Sequence, residues 1–245
     1  MIVVKSAEEI AIMRQCGRIL MAVLDRLRAE VKVGIKTCRL DTLVVEETKK
    51  RGGKPSFKNY RGFPAHLCVS VNDEIVHGIP GERTLEEGDI VSLDAGVLFE
   101  GFHTDAAITV GVGKISQRAE QLVAATEGSL SAGIAEAKCN AHVGDISGAI
   151  QEYVESRGFS VIREYTGHGV GRELHEEPAV PNFASNGGPL LRNGMTLAIE
   201  PMVSAGAWRT RLAANLWTVL TSDGSLAAHF EHTIAITDGE AEILA

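Results

Sequence analysis

Four acids in this sequence stand where acids are unfavourable. Asp94 lies in Ile90-Val91-Ser92-Leu93-Asp94-Ala95-Gly96 and Asp105 in His103-Thr104-Asp105-Ala106-Ala107-Ile108. Glu200 lies in Leu197-Ala198-Ile199-Glu200-Pro201-Met202 and Glu231 in Ala228-His229-Phe230-Glu231-His232-Thr233-Ile234. Each interrupts a strand-like apolar run, and carboxylates are rarely buried unless paired or bound to a cation. Asp94 and Asp105 alone would fit a turn-flanking pair on a solvated face equally well. On opposed strands of a hairpin they would stand side by side, and like charges at close range repel unless a cation lies between them. Two further acids of the same kind in the second half shift the balance to a shared cation site.

His168, held between Gly167 and Gly169, adds an imidazole. A lone histidine in a glycine loop is more often a turn residue, but the company of four strand acids reverses that. Four carboxylates and one imidazole suit hard or borderline divalent ions such as Mn, Fe(II), Co or Zn. Four acids are too many for one ion that must stay reactive, and two ions with bridging carboxylates explain the count better. His77, in Asn72-Asp73-Glu74-Ile75-Val76-His77-Gly78-Ile79-Pro80, and His175, in Leu174-His175-Glu176-Glu177-Pro178, are candidates for proton or oxyanion work rather than ligation. Either alone would more often be a surface-loop histidine.

The elements that must position these groups follow from periodicity. Ser6 with Glu9 forms a capping box, so a helix should start at Ala7, and Ile10, Met13, Leu20, Val23, Leu24 and Leu27 recur at helical spacing. Thr37 can cap a second helix to about Lys50. Strands are expected at 89–95 and 103–112, joined through the hairpin connection 96–101. In the second half, Ser116 precedes a helix over 118–136, and a further helix over 145–157 closes at Gly158. A glycine-rich loop at 167–171 and strands at 196–202, 217–221 and 229–237 complete the chain, with Asp223-Gly224 as a tight turn. Each half therefore reads helix, helix, strands. The expectation is one α+β domain over 1–245, built of similar halves at about 1–112 and 113–245.

Bulk properties remove several classes. The chain has 245 residues, 44% apolar, enough for a sizeable core, and no apolar run long enough to span a membrane. The N-terminus lacks the pattern of a signal peptide, so the expected location is the cytoplasm. The net charge of −8 speaks against a general phosphate-backbone binder. The cysteines Cys16, Cys38, Cys68 and Cys139 are scattered with no C-x-x-C pair, which excludes a zinc-ribbon module and disfavours a disulfide framework.

The stretches V-N-D-E-I-V-H-G-I-P (71–80), S-L-D-A-G-V (92–97), H-T-D-A-A-I-T-V-G (103–111), Y-T-G-H-G-V-G (165–171), H-E-E-P (175–178), A-I-E-P (198–201) and F-E-H-T-I-A-I-T (230–237) resemble, in order, those of the methionine aminopeptidase family. The resemblance runs from about residue 5 to the C-terminus and contains all five ligand-type residues. It implies the pita-bread fold, two pseudo-symmetric halves around a dinuclear metal site. It implies Asp94, Asp105, His168, Glu200 and Glu231 as ligands of two divalent ions, Co, Mn, Fe(II) or Zn, and His77 and His175 as the site histidines. The 31 residues between His168 and Glu200 leave no room for the helical insertion of type II enzymes. The chain is thus similar to the type I, bacterial-like form without an N-terminal extension.

The implied reaction removes the initiator methionine from nascent polypeptides whose second residue is small, with the ribosome as one place to meet them. No specific nucleic acid, no membrane and a monomeric state are expected. Glu200 is expected to be the general base for a water activated between the ions. His77 and His175 would donate hydrogen bonds to the developing charge, and Asp94 would help hold the free amine. By match to the family, Tyr60, Phe63, Cys68, Tyr165, Leu174 and Trp217 would form the methionine pocket. Leu174 stands where an aromatic residue is common and Phe63 where tyrosine is. The run 205–215 is also unusual. These departures bear on side-chain preference. The rival expectations are a proline dipeptidase, for whose extra N-terminal domain the first ligand at residue 94 comes too early, and a non-catalytic binding protein, in which ligands are typically lost.

Overall fold

The computed structural model describes residues 1–184 and 187–245. Helix α1 spans Ala7–Glu30 and α2 spans Thr37–Lys50. The short strands β1 (Lys54–Pro55), β2 (Cys68–Val71) and β3 (Glu74–Val76) precede the long hairpin β4 (Ile90–Phe99) and β5 (Phe102–Gly111). The second half opens with α3 (Gln117–Glu136) and α4 (Val143–Glu155). Its strands are β6 (Ser160–Val161), β7 (Thr166–Gly169), β8 (Glu176–Pro181), β9 (Thr196–Ile199), β10 (Met202–Ser204), β11 (Thr210–Leu212), β12 (Val219–Thr221), β13 (Ala227–His229), β14 (His232–Ala235) and β15 (Glu242–Ile243).

Local chemistry sets the helix starts. The Ser6 hydroxyl accepts from the Glu9 amide at 3.3 Å, and the Glu9 carboxylate accepts from the Ser6 amide at 3.0 Å, closing the expected capping box. Thr37 does not cap α2; it is the first helical residue, and its hydroxyl bridges the Gly81 amide and carbonyl instead. Helix α4 begins at Val143, two residues earlier than expected, because the Asp145 carboxylate accepts from the His142 amide at 2.7 Å. The buried stripe of α1, Met13, Cys16, Leu20, Val23, Leu24 and Leu27, enters the core against β4 and β5. Cys16 is packing: its thiol lies 3.1 Å from the Val97 carbonyl, and burial raises its pKa to about 11.

The strands differ from their expected bounds in ways that matter for the site. Residues 96–99 are strand rather than connection, and the turn is the tight pair Glu100-Gly101, with φ of 48° and 82°. The segment 166–169 is a strand rather than a glycine loop. A Cβ at Gly167 would stand 2.4 Å from the Ala198 carbonyl oxygen, and one at Gly169 would stand 2.3 Å from that of Glu177. These glycines admit neighbouring strands, not a ligand. The expected strands 196–202 and 229–237 are each interrupted, at Glu200-Pro201 and at Phe230-Glu231. Pro201 has no amide hydrogen to donate.

Two main sheets result. One places β4 between β1 and β2, with β5 paired along β4; the other has the order β15-β14-β9-β7-β8. They meet where Ala107 and Glu231 exchange backbone hydrogen bonds of 2.9 and 3.3 Å. Two threonines tie β5 to the strands that face it, one to β14 and one to β13. The Thr233 hydroxyl accepts from the Asp105 amide at 2.9 Å and donates to its carbonyl at 2.8 Å. Thr109 makes the matching pair with His229, at 2.9 and 2.7 Å.

Candidate metal centre

Register decides which side chains converge. Asp94 pairs with Ala107, two residues beyond Asp105, so the two acids lie on one face of the β4–β5 hairpin as diagonal neighbours. Cys68 pairs with Asp94 across β2 and shares that face. In the other sheet His168 pairs with Ala198, and Ala198 with Thr233. Glu200 is two residues after Ala198 and Glu231 two before Thr233, so the period of two sends His168, Glu200 and Glu231 to one side. The breaks at Glu200-Pro201 and Phe230-Glu231 let Glu231 leave β14 and bond to Ala107, which sets its carboxylate over Asp105.

One ligand atom each from Asp105, His168 and Glu231 lies within 4.8 Å of the others. His168 Nε2 is 3.5 Å from Glu200 Oε1. His168 Nδ1 lies 2.8 Å from the Gly169 carbonyl. That carbonyl can only accept, so Nδ1 carries the hydrogen and Nε2 turns a lone pair to the acids, the arrangement a metal-binding histidine needs. Asp94 Oδ1, Asp105 Oδ1 and Glu231 Oε1 are buried without a hydrogen-bond partner among the described residues. Buried polar atoms are rarely left so, and a divalent cation would satisfy all of them. The donor set therefore fits a metal.

Electrostatics agree. Burial raises the pKa of Asp94 to about 7. Burial, and then the charges of the other acids, holds Asp105, Glu200 and Glu231 well above the ordinary carboxylate range. Burial lowers His168 to about 4, so its imidazole is neutral and free to coordinate. Four carboxyls that resist ionisation together are a cluster in need of positive charge.

The cluster floors a cavity of about 160 Å³. Its walls include His77, His175 and a small apolar group, Phe57, Phe63, Cys68 and Leu174, with Tyr60 and Trp217 packed on it. The His175 ring stacks on Tyr60 at 5.2 Å and lies 4.0 Å from the His168 ring. His77 is held at φ 59°, just before Gly78, where a Cβ would collide with the Val69 carbonyl oxygen at 2.0 Å. Burial lowers the pKa of His77; for His175, burial and then repulsion from His168 do the same. Of the residues singled out in the sequence, Tyr165 alone does not line the cavity; it stands edge-on behind His77, with centroids 6.0 Å apart.

Residues not singled out also reach the site. His229 Nε2 is buried without a hydrogen-bond partner among the described residues, 3.7 Å from Glu200 Oε2, and burial lowers its pKa to about 3. It stands two positions before Glu231, so strand alternation was the available signal. Asn182 donates to the Glu200 carbonyl at 3.0 Å. Phe57 and Arg61 line the cavity. Nothing in their spacing separates them from loop residues.

Residues 11–238 match the sequence pattern of metallopeptidase family M24. The chain belongs to metallopeptidase family M24. A methionine aminopeptidase of Clostridium perfringens is 51% identical to this M24 chain, over 100% of the chain and 98% of that protein. The crystal structure of a methionine aminopeptidase from Thermotoga maritima superposes with a TM-score of 0.98 at 48% identity, covering 100% of the chain and 99% of that structure. A prolidase from Pyrococcus furiosus superposes with a TM-score of 0.81 at 21% identity, covering 99% of the chain and 65% of that structure, a likeness of fold. The fold of this M24 member is the pita-bread fold.

Proposed function

We propose that the protein is a metal-dependent aminopeptidase that removes the initiator methionine from nascent polypeptides with a small second residue, acting as a cytosolic monomer. The observation that carries this is a cavity with a buried carboxylate–imidazole floor and an apolar wall. Asp94, Asp105, His168, Glu200 and Glu231 would hold two divalent ions, Co, Mn, Fe(II) or Zn. When bound, such ions would supply Lewis acidity and lower the pKa of a bound water. Glu200, at the edge of the cluster, would take a proton from the attacking water on its carboxylate and pass it to the leaving amine. The neutral rings of His77 and His175 offer N–H donors to the substrate carbonyl as charge develops on it. Asp94, at the acid floor, receives the free amine, so the scissile bond is the first one. Phe63, Cys68, Leu174, Tyr60 and Trp217 enclose an unbranched apolar side chain, which suits methionine; Tyr165 supports His77 from behind.

A peptide panel tests the whole. Met-Ala-Ser and Met-Gly-Ser are expected to be cut, Met-Lys and Met-Leu peptides poorly, and acetyl-Met-Ala-Ser not at all, with each metal added back to stripped protein. Because Leu174 is smaller than an aromatic residue, preference for methionine over norleucine is expected to be modest; one methylene is worth about 1–3 kcal/mol. Faster cleavage of Xaa-Pro dipeptides would replace the proposal with a prolidase. Activity on none of them with any metal would favour a binding protein.

His175→Ala is expected to lower kcat roughly 10²-fold, the order for one lost transition-state donor, with metal content unchanged by elemental analysis. Loss of the metals along with activity would make His175 a ligand.

A further inference from the structure

The rim of the cavity carries one fixed cation, and nothing in the proposed reaction uses it. Among the described residues, Arg61 is the single lysine or arginine that lines the cavity. It is exposed, and its guanidinium lies 5.4 Å from the Tyr60 ring centroid. Among the described residues none accepts a hydrogen bond from that guanidinium, and none forms a salt bridge with it. A guanidinium offers five donors in a planar fork matched to a carboxylate. The backbone that presents it is unusual. Asn59, Arg61 and Gly62 all have positive φ, at 68°, 49° and 93°. A side-chain-bearing residue there costs on the order of 1–2 kcal/mol. Backbone hydrogen bonds from Asn59 N to Phe63 O and from Phe63 N to Tyr60 O hold the turn in place. The turn runs beside the apolar wall, where a Cβ at Gly62 would lie 3.9 Å from the Trp217 ring, an ordinary contact distance. Arg61 is thus an exposed residue of positive φ that lines the cavity next to the Tyr60–His175 stack.

We propose that Arg61 determines specificity beyond the second residue by binding a substrate carboxylate. This rests on the aminopeptidase reading: with the free amine on the acid floor, the chain after the scissile bond leaves through the mouth and passes the turn. A side-chain carboxylate at the third or fourth residue, or the terminal carboxylate of a short peptide, is the group the fork fits.

Met-Ala-Asp and Met-Ala-Asn as C-terminal amides, and Met-Ala-Asn as the free acid, separate the sources. The wild type is expected to favour the carboxylate peptides over Met-Ala-Asn amide by roughly three- to tenfold in kcat/KM, the range for a rim pair with charged hydrogen bonds. The gain should sit in KM and shrink as salt rises. In Arg61→Gln the ratio should fall to about one, and Arg61→Lys should restore part of it. A gain confined to the Asp amide assigns the site to side chains, and one confined to the free acid to chain ends; either supports the proposal. An unchanged ratio in Arg61→Gln overturns it while leaving the aminopeptidase intact. An equal fall in kcat on all peptides marks a structural role and overturns it too. If the wild type cuts no peptide, both proposals fail together.

Discussion

Glu200→Gln is expected to reduce turnover of Met-Ala-Ser by at least roughly 10²–10⁴-fold, the range for loss of a general base. Without a cation, burial and the Asp94 charge hold the Glu200 carboxyl well above its usual pKa, and a bound cation would favour the ionised form that acts as a base. It stands 3.5 Å from His168 and 3.7 Å from His229, rings that burial keeps neutral. The amide keeps the shape but can neither take the proton nor bind a cation as strongly. Metal affinity should therefore fall as well, and the comparison must be made at saturating metal, with content measured by elemental analysis. Near-normal turnover in a metal-saturated Glu200→Gln protein would remove Glu200 from the chemistry.

The floor of this site was legible because its signal is a contradiction within short segments. An acid in an apolar strand violates the pattern around it, and Asp94, Asp105, Glu200 and Glu231 all do so. The Ser6–Glu9 capping box was legible for a similar reason, since both partners sit three residues apart. What stayed hidden depends on partners distant in sequence. The strand break at Phe230-Glu231 goes with the pairing of Glu231 with Ala107, 124 positions earlier in the chain. Gly167 and Gly169 read as loop glycines, yet they are strand residues crowded by the Ala198 and Glu177 carbonyls. His229 has no assigned role in the sequence, and Glu200 reaches it from another strand. Arg61 carries no local pattern; only the positive φ and the cavity rim mark it.

Stripping the metal is expected to destabilise the protein, and more so as pH rises. Asp94, Asp105, Glu200 and Glu231 all have raised pKa values in the fold, Asp94 reaching about 7. A carboxyl with a raised folded pKa binds its proton more tightly folded than unfolded. Below the unfolded value, near pH 4, both states are protonated and the group carries no penalty. Between that pH and the folded pKa the unfolded chain ionises while the folded one does not, so stability falls with rising pH. For Asp94 the rise from 3.8 to about 7 places this loss between about pH 4 and neutrality. The other three carboxyls push the same way. A bound divalent cation reverses the sign, since it favours the ionised form and stabilises the fold by mass action. Calorimetry of chelator-treated protein should thus show a Tm that falls between pH 5 and 8, and metal should raise the Tm far more at pH 8 than at pH 5. Glu200→Gln removes one of the charges, so the stripped variant should lose less stability across that range than the stripped wild type. A stripped protein whose Tm is flat over pH 5 to 8, and which metal does not stabilise, would mean that the four acids do not share a cation site.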